Sequence, residues 1–460
     1  MSIVHKFKHA VRLFAESITP VSCRLFGDRG HFFFLCGVVG VLCGCGAALM
    51  KLLIGLISKA VVGGLPVAHS TWHLLLFPFL GIVLAGIYAR YIIKLPLEHG
   101  TERLNVALRK KNYYMPSRLV FAPIFGASLT LGFGGSAGSE GPIAYTGAAI
   151  GSNLGRAFGL TDQQMRVLIG VGAGCGIAGI FKAPIGGALF TLEVMALEIT
   201  TFSVIGLLVG CLMAGVTAYL LSGCTMDIPY HAVKAFDPAI LPAVVAMGIA
   251  VGAYSLWYTF CMTRSEKFLN GFFKNVWVKN IFSGLFLALL LFLFPNLYGE
   301  GYDVAGNLMN GRTDTLMDGS IFHAVGPWGI MAVLAATLAV KGFATQTTNS
   351  GGGIGGDFAP TLFAGALAGY LFAIFSNQVF GTHLSAPDFA YFGMAGAMAG
   401  CIQAPLMALF LTVEMSGDFS MFLPLMIAAA ISYGMVRFCS YRWREIFYPV
   451  WHHHLNKASE

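Results

Sequence analysis

The sequence of 460 residues is poor in charge: Asp, Glu, Lys and Arg together make up 11% of it, whereas 57% of the residues are hydrophobic. Soluble globular proteins contain about 25% charged residues, and disordered chains contain few hydrophobic ones. The shortage of charge therefore excludes intrinsic disorder and argues against a soluble domain.

Patterns for binding metals are missing as well. The ten cysteines form no Cys-x-x-Cys pair and no cluster with histidine at metal-ligand spacing. Most of them lie in apolar segments, where cysteine serves as a small packing residue. We expect no metal ion and no cofactor. The formal charge of +7 comes largely from four short basic stretches, so we expect no nucleic-acid partner either.

Long apolar segments are what the sequence has in abundance. A helix that spans a membrane needs about 20 mainly apolar residues. Nine segments of about that length or more contain no Asp, Glu, Lys or Arg, and they predict an all-α integral membrane protein with many passes. These segments are 30–50, 60–89, 119–139, 199–226, 238–263, 280–299, 319–340, 358–387 and 389–413.

The distribution of basic residues predicts the orientation. Twenty of the 28 Lys and Arg lie in four stretches, and such stretches face the cytoplasm by the positive-inside rule. We therefore expect both termini to be cytoplasmic, with 297–318, which holds four acidic residues and one arginine, as an outer loop. A chain this compact indicates the inner (plasma) membrane of a bacterium. The four basic stretches are 1–30, 90–118, 264–279 and 437–457.

Two parts of the chain repeat each other. In each, an Ala-Pro pair precedes a glutamate nine positions after the proline: Pro184 precedes Glu193, and Pro405 precedes Glu414. Upstream of each pair, at similar separations, lies a glycine-rich segment with a proline, and duplicated interrupted segments indicate a transporter binding site. The predicted organisation is a cytoplasmic amphipathic lead-in (1–30), two membrane repeats (31–222 and 238–440) and a short cytoplasmic C-terminal segment (441–460).

The two glycine-rich segments, 138–142 (Gly-Ser-Glu-Gly-Pro) and 355–360 (Gly-Gly-Asp-Phe-Ala-Pro), are suited to binding an anion. The first N–H groups of a helix lack partners within the helix and carry partial positive charge. Two helix starts aimed at one point would bind a small anion and still release it. Glu140 lies in an otherwise uncharged span, so it either competes with the anion or merely caps its helix.

These segments carry a resemblance to a known family. Residues 138–142 resemble the GxEGP element of the CLC family of chloride channels and transporters, and 355–360 resemble its GGxFxP element. The lead-in 341–352 is similar too, and the resemblance covers about residues 31 to 455. It implies an inverted-repeat fold of many tilted, broken helices and a homodimer with one anion pathway per subunit. We expect none of the C-terminal regulatory domains that many eukaryotic members have.

The resemblance also implies roles for individual residues. Glu140 corresponds to the gating glutamate, and Tyr448 to the tyrosine whose hydroxyl closes the inner side of the anion site. The backbone amides of Asp357 and Phe358 would complete that site. We call the two glycine-rich segments, 138–142 and 355–360, the filter loops. Their remaining residues are Gly138, Ser139, Gly141, Pro142, Gly355, Gly356, Ala359 and Pro360.

Three positions depart from the family pattern. His99 stands where the family has a serine that binds the anion, and it is either the replacement, able to titrate near neutral pH, or an ordinary loop histidine. Val194 occupies the position of the inner glutamate that relays protons in coupled members, and valine cannot carry a proton. Asp357 replaces an apolar residue, and we expect its side chain to point away from the pathway. Glu193 is expected to be structural.

We predict that the protein is not an enzyme and transports chloride or a similar small anion. The pathway would be channel-like or weakly coupled to protons; the alternative is a coupled chloride/proton antiporter. A remote alternative is an intramembrane serine hydrolase, because 134–138 matches G-x-S-x-G and His99 could serve as a base. The glycines of 351–356 match a dinucleotide fingerprint by letter only, without the βαβ unit that the fingerprint needs.

Overall fold

A computed structural model of the chain describes residues 3–62, 73–94, 104, 113–224, 228, 230, 232, 236–313, 316 and 326–447. These residues are mostly α-helical, which confirms the predicted all-α fold class. The α-helices are α1 (Ile3–Val62), α2 (His73–Ile87), α3 (Ala122–Gly132), α4 (Glu140–Ala157), α5 (Asp162–Phe181), α6 (Pro184–Glu193), α7 (Thr201–Leu221), α8 (Leu241–Phe272), α9 (Val276–Leu293), α10 (Tyr302–Met309), α11 (Gly326–Ser350), α12 (Phe358–Phe380), α13 (Ala386–Ile402), α14 (Pro405–Ser416) and α15 (Phe422–Phe447).

Nine helical segments in the described part of the chain are long and apolar enough to cross a membrane. The number equals that of the uncharged segments, but the two sets differ. The uncharged segment 389–413 is divided between α13 and the short helix α14. Conversely, α5 is one of the nine, although Asp162 and Arg166 near its start interrupt the uncharged pattern.

The two predicted repeats have the same order of helices. In the first, the long helices α4 and α5 are followed by the short helix α6 and then by α7; in the second, α12 to α15 follow the same pattern. The short helices start in the same way. Lys182 and Gln403 end the preceding helices in the left-handed conformation (φ 55° and 61°), and an Ala-Pro pair then begins the next helix.

Glycine allows the central helices to touch. A Cβ atom on Gly147 of α4 would collide with the carbonyl oxygen of Gly172 on α5, and one on Gly365 of α12 would collide with that of Gly393 on α13. Small residues permit such backbone contact between membrane helices, and both repeats contain contacts of this kind. The result is a tightly packed centre that holds the starts of α4 and α12.

Candidate functional site

The two filter loops lie against each other. The N–H of Gly138 donates to the carbonyl of Gly356 (2.9 Å), and the N–H of Gly356 donates to the carbonyl of Gly138 (2.7 Å), which makes an isolated antiparallel bridge. Helices α4 and α12 begin two residues after these glycines. The bridge therefore brings the two helix starts together. The N–H groups of both glycines are occupied by these backbone hydrogen bonds.

Glu140 reaches from the first repeat to the second. Its side chain is fully buried, and its Oε1 accepts hydrogen bonds from the backbone N–H of Ala359 (2.9 Å) and the hydroxyl of Tyr302 (3.0 Å). Ala359 belongs to the first turn of α12, so the carboxylate occupies a position where a helix start favours an anion. Within the described residues, its Oε2 is buried without a hydrogen-bond partner.

The glycines of the loops make room for this carboxylate. A Cβ atom on Gly138 would collide with Oε2 of Glu140, and a Cβ on Gly356 would lie 3.0 Å from the same oxygen and 2.8 Å from the amide nitrogen of Gly141. Any larger residue at Gly138 would displace the carboxylate or the loop. The glycines are therefore needed for the close approach of the backbone to the charged group.

The segment 297–302 packs against the first filter loop. Oε1 of Glu300 accepts from the backbone N–H (3.0 Å) and the hydroxyl (2.6 Å) of Ser139. Gly301 has φ +85°, and a Cβ on it would lie 2.5 Å from the ring of Phe363. This segment belongs to the predicted outer loop, and Glu300 and Tyr302 are not among the predicted site residues. The one local signal is the pair of glycines that flank Glu300, which indicates a tight turn around an acidic group.

A buried cation lies nearby. Lys341 on α11 is fully buried, and it is the only buried lysine or arginine in the part of the chain that the structure describes. Its Nζ donates to Oγ of Ser136 (2.9 Å) and lies 4.6 Å from the centre of the Phe363 ring. Oγ of Ser136 in turn donates to the carbonyl of Leu297 (2.7 Å). The face of an aromatic ring is a favourable neighbour for a lysine side chain that carries a charge.

The local structure around Ser136 does not fit the serine hydrolase alternative. A nucleophile elbow joins a strand to a helix. Ser136 instead lies between helices α3 and α4, and its hydroxyl is bonded to Lys341 and Leu297. The segment 351–356 follows helix α11 rather than a strand, so the dinucleotide pattern has no structural basis.

Asp357 and Phe358 stand at the start of α12. The Asp357 carboxylate accepts from Nδ2 of Asn349 in the same repeat (2.8 Å), whereas that of Glu140 crosses to the other repeat. The buried ring of Phe358 packs edge-to-face against Phe190 of α6, with ring centres 5.6 Å apart. Asp357 thus has a partner in its own half, and whether its amide binds an anion stays a prediction.

The starts of α6 and α14 are capped reciprocally, each by a glutamate near the end of the other helix. Glu193 accepts from the N–H groups of Leu406 (3.2 Å) and Met407 (2.8 Å) at the start of α14. Glu414 accepts from those of Ile185 (3.0 Å) and Gly186 (2.7 Å) at the start of α6. Each glutamate thus caps the helix of the opposite repeat, which is the structural role expected for Glu193.

Of three further predicted positions, the structure describes one. Val194 directly follows α6 and packs, partly buried, against the main hydrophobic core. His99 and Tyr448 lie outside the described residues, so their predicted places at the anion site stay predictions.

Comparison with known proteins agrees with this architecture. Residues 80–437 match the family model described as voltage gated chloride channel. A protein of Ralstonia nicotianae, named as a ClcB-like chloride channel protein, is 27% identical over 79% of this chain and 82% of its own length. The H+/Cl− exchange transporter ClcA of Vibrio cholerae is 26% identical over 68% of this chain, and the match spans 65% of that protein.

Solved structures show the same fold. A slow cyanobacterial Cl−/H+ antiporter matches with a TM-score of 0.75 at 22% identity, covering 88% of this chain and 94% of the other. A CLC-type fluoride/proton antiporter matches with a TM-score of 0.72 at 21% identity, covering 87% and 94%. These matches confirm the inverted-repeat fold class. Because the family model covers more than half of the sequence, the chain belongs to the voltage-gated chloride channel family, whose members are channels and transporters rather than enzymes.

Proposed function

We propose that the protein exchanges chloride, or a similar small anion, for protons across the membrane. The observation that carries the proposal is the seat of Glu140, whose charged group occupies the start of α12. One group that both binds a proton and competes with the anion links the two ions directly. Relatives named as H+/Cl− exchange transporters support the coupled function, which is the predicted alternative to a channel-like pathway.

Protonation would empty the site in the following way. A charged Glu140 accepts strongly from Ala359 and Tyr302, because hydrogen bonds to an ionised acceptor are the stronger kind. A neutral Glu140 loses that advantage and can leave, so an anion can take its place at the start of α12. The amides of Asp357 and Phe358, with His99 and Tyr448 further along, are proposed to bind the anion on its way.

A channel-like or uncoupled pathway remains the second candidate, because of Val194. A proton that reaches Glu140 from the cytoplasm needs a carrier, and a valine side chain offers none. The proposed exchange therefore requires another route, through water or through His99. Replacing Val194 by glutamate would supply a carrier at the family's position.

The membrane context is proposed on the same footing. We expect a homodimer in which each subunit has its own pathway, surrounded by membrane lipid. The relatives from bacteria support an inner-membrane location. Both termini are proposed to be cytoplasmic, from the positions of the basic stretches.

Liposomes test the choice between the two candidates. Purified protein is reconstituted under a chloride gradient, the membrane potential is clamped with valinomycin and potassium, and chloride and proton movement are recorded together. Uphill proton movement driven by chloride is the expected result. Chloride flux without proton movement would reject exchange and establish uncoupled conduction. If V194E then restored proton movement, the missing inner carrier would be the cause.

A further inference from the structure

Two hydrogen-bond donors converge on one oxygen of Glu140, and they come from different elements. One is the backbone N–H of Ala359 in α12, and the other is the hydroxyl of Tyr302, the first residue of α10. Backbone amides at helix starts are common to the two filter loops. The tyrosine hydroxyl is different, because it belongs to neither loop.

The tyrosine is held in place independently of Glu140. The adjoining Gly301 adopts a left-handed conformation against Phe363, and Glu300 is tied to Ser139 by two hydrogen bonds. The ring of Tyr302 also meets that of Phe181 edge-to-face, with centres 6.4 Å apart. When Glu140 leaves, these contacts would keep the hydroxyl aimed at the vacated position.

We infer that Tyr302 is a ligand of the transported anion, and that its hydroxyl donates to the anion at the position that Glu140 vacates. The inference rests on the proposed function. A hydroxyl has one hydrogen to donate, so it serves the carboxylate and the anion in turn. It carries no permanent charge, so it binds an anion without trapping it. Tyr302 is thus the second side chain, after Glu140, to which we assign a role at this site.

The competing explanation is that Tyr302 only positions the glutamate. The two explanations differ once Glu140 is removed, because a residue that acts solely on the carboxylate then has nothing to act on. Chloride binding is therefore compared between E140A and E140A combined with Y302F, by isothermal titration calorimetry on the purified full chain with chloride as the probe. If Tyr302 is a ligand, its loss weakens chloride binding about tenfold, the effect of one hydrogen bond to an ion.

Tyr298 provides a matched control four residues away. Its hydroxyl is buried but has no hydrogen-bond partner in the described part of the chain. E140A combined with Y298F therefore removes the same atom from the same segment, and chloride binding should stay equal to that of E140A. A loss as large as that of Y302F would overturn the inference, because it would show a general effect of the segment.

The remaining outcomes are decisive as well. Equal chloride affinity with and without the Tyr302 hydroxyl overturns the inference and leaves the proposed exchange intact. A tenfold loss together with liposomes that move no protons upholds Tyr302 as a ligand and rejects exchange. If the alanine background yields no folded protein, the same comparison is made with E140G, which also leaves no side-chain oxygen for Tyr302 to position. Failure of E140A to bind chloride at all would overturn both proposals.

Discussion

The two filter loops have the same backbone and different chemistry. Each contributes one glycine to the bridge between Gly138 and Gly356, and each begins a long central helix. Their acidic side chains diverge: Glu140 crosses to the opposite repeat and seats on a helix start, whereas Asp357 bonds to Asn349 in its own repeat. A near-symmetric frame therefore presents one carboxylate, not two, at the helix start.

The ends of α6 and α14 show the opposite behaviour. There the two repeats use the same residue in the same way, since Glu193 and Glu414 each cap the helix of the other half. Symmetry is kept where the carboxylates hold the two halves together. It is broken where a single carboxylate occupies the candidate anion position.

The largest effect is expected from E140A, which removes the asymmetry between the two filter loops. E140A removes the carboxylate that competes for the Ala359 amide, so chloride flux at neutral pH should rise on the order of tenfold, as expected when hydrogen bonds to a charged group are removed. In the unaltered protein, acid protonates Glu140 and flux rises as pH falls. In E140A flux should be independent of pH, as measured in liposomes. D357A is the matched control and should retain the pH dependence.

Two other results for E140A and D357A would contradict this prediction. If D357A loses its pH dependence and E140A retains it, the roles of the two loops are reversed. If both retain it, a group outside the loops controls the pathway.

A second variant disturbs the asymmetry without removing the acid. In G138A the new Cβ would occupy the place of Oε2 of Glu140, so the carboxylate should be driven from its seat and flux at neutral pH should rise several-fold. Flux in liposomes measures the change. G434A is the control, because Gly434 in α15 has open space around it. An unchanged flux in G138A would mean that the carboxylate does not limit transport.

A third test sharpens the symmetry of α6 and α14. Replacing a capping carboxylate by alanine costs about 1 kcal/mol, so E193A and E414A should each lower the thermal stability of the protein by similar amounts. Their effects should add in the double variant, because the two caps share no hydrogen bond. The measurement is thermal unfolding in detergent. A large effect from E193A alone on proton movement would instead point to a transport role for Glu193.

The smallest effect is expected from D357N. Asparagine keeps an oxygen that can accept from Asn349 and removes one negative charge, so chloride flux should change less than twofold if the side chain faces away from the anion. E140Q, the corresponding change in the other loop, should abolish pH dependence. A several-fold rise in flux for D357N would mean that its charge repels the anion in the pathway.

The helical fold was predictable because insertion of a helix into a membrane depends on its local composition. Runs of uncharged residues identified a polytopic protein, but they did not identify each helix. The segment 119–139 contains α3 and then a loop, and 389–413 contains parts of two helices. Local hydropathy measures transfer into lipid, and it does not report where glycine, proline and left-handed residues interrupt a helix that neighbouring helices shield.

The candidate site was only partly predictable for a related reason. Glu140 stood out because a carboxylate in an apolar span is costly, so its presence demands a function. Tyr302, Glu300 and Lys341 did not stand out, because their importance comes from contacts with residues more than 150 positions away. No periodicity or local motif encodes such contacts.

The sequence by itself determined the membrane class, the duplicated Ala-Pro and glutamate pattern, and the single acid in the first filter loop. These features follow from local composition and spacing. Only the tertiary structure decided that Glu140 seats on Ala359 of the other repeat and that Glu193 and Glu414 exchange caps. The physical reason is that hydrogen bonds form between groups that packing brings together, and the close approach of glycine-rich helices sets that packing.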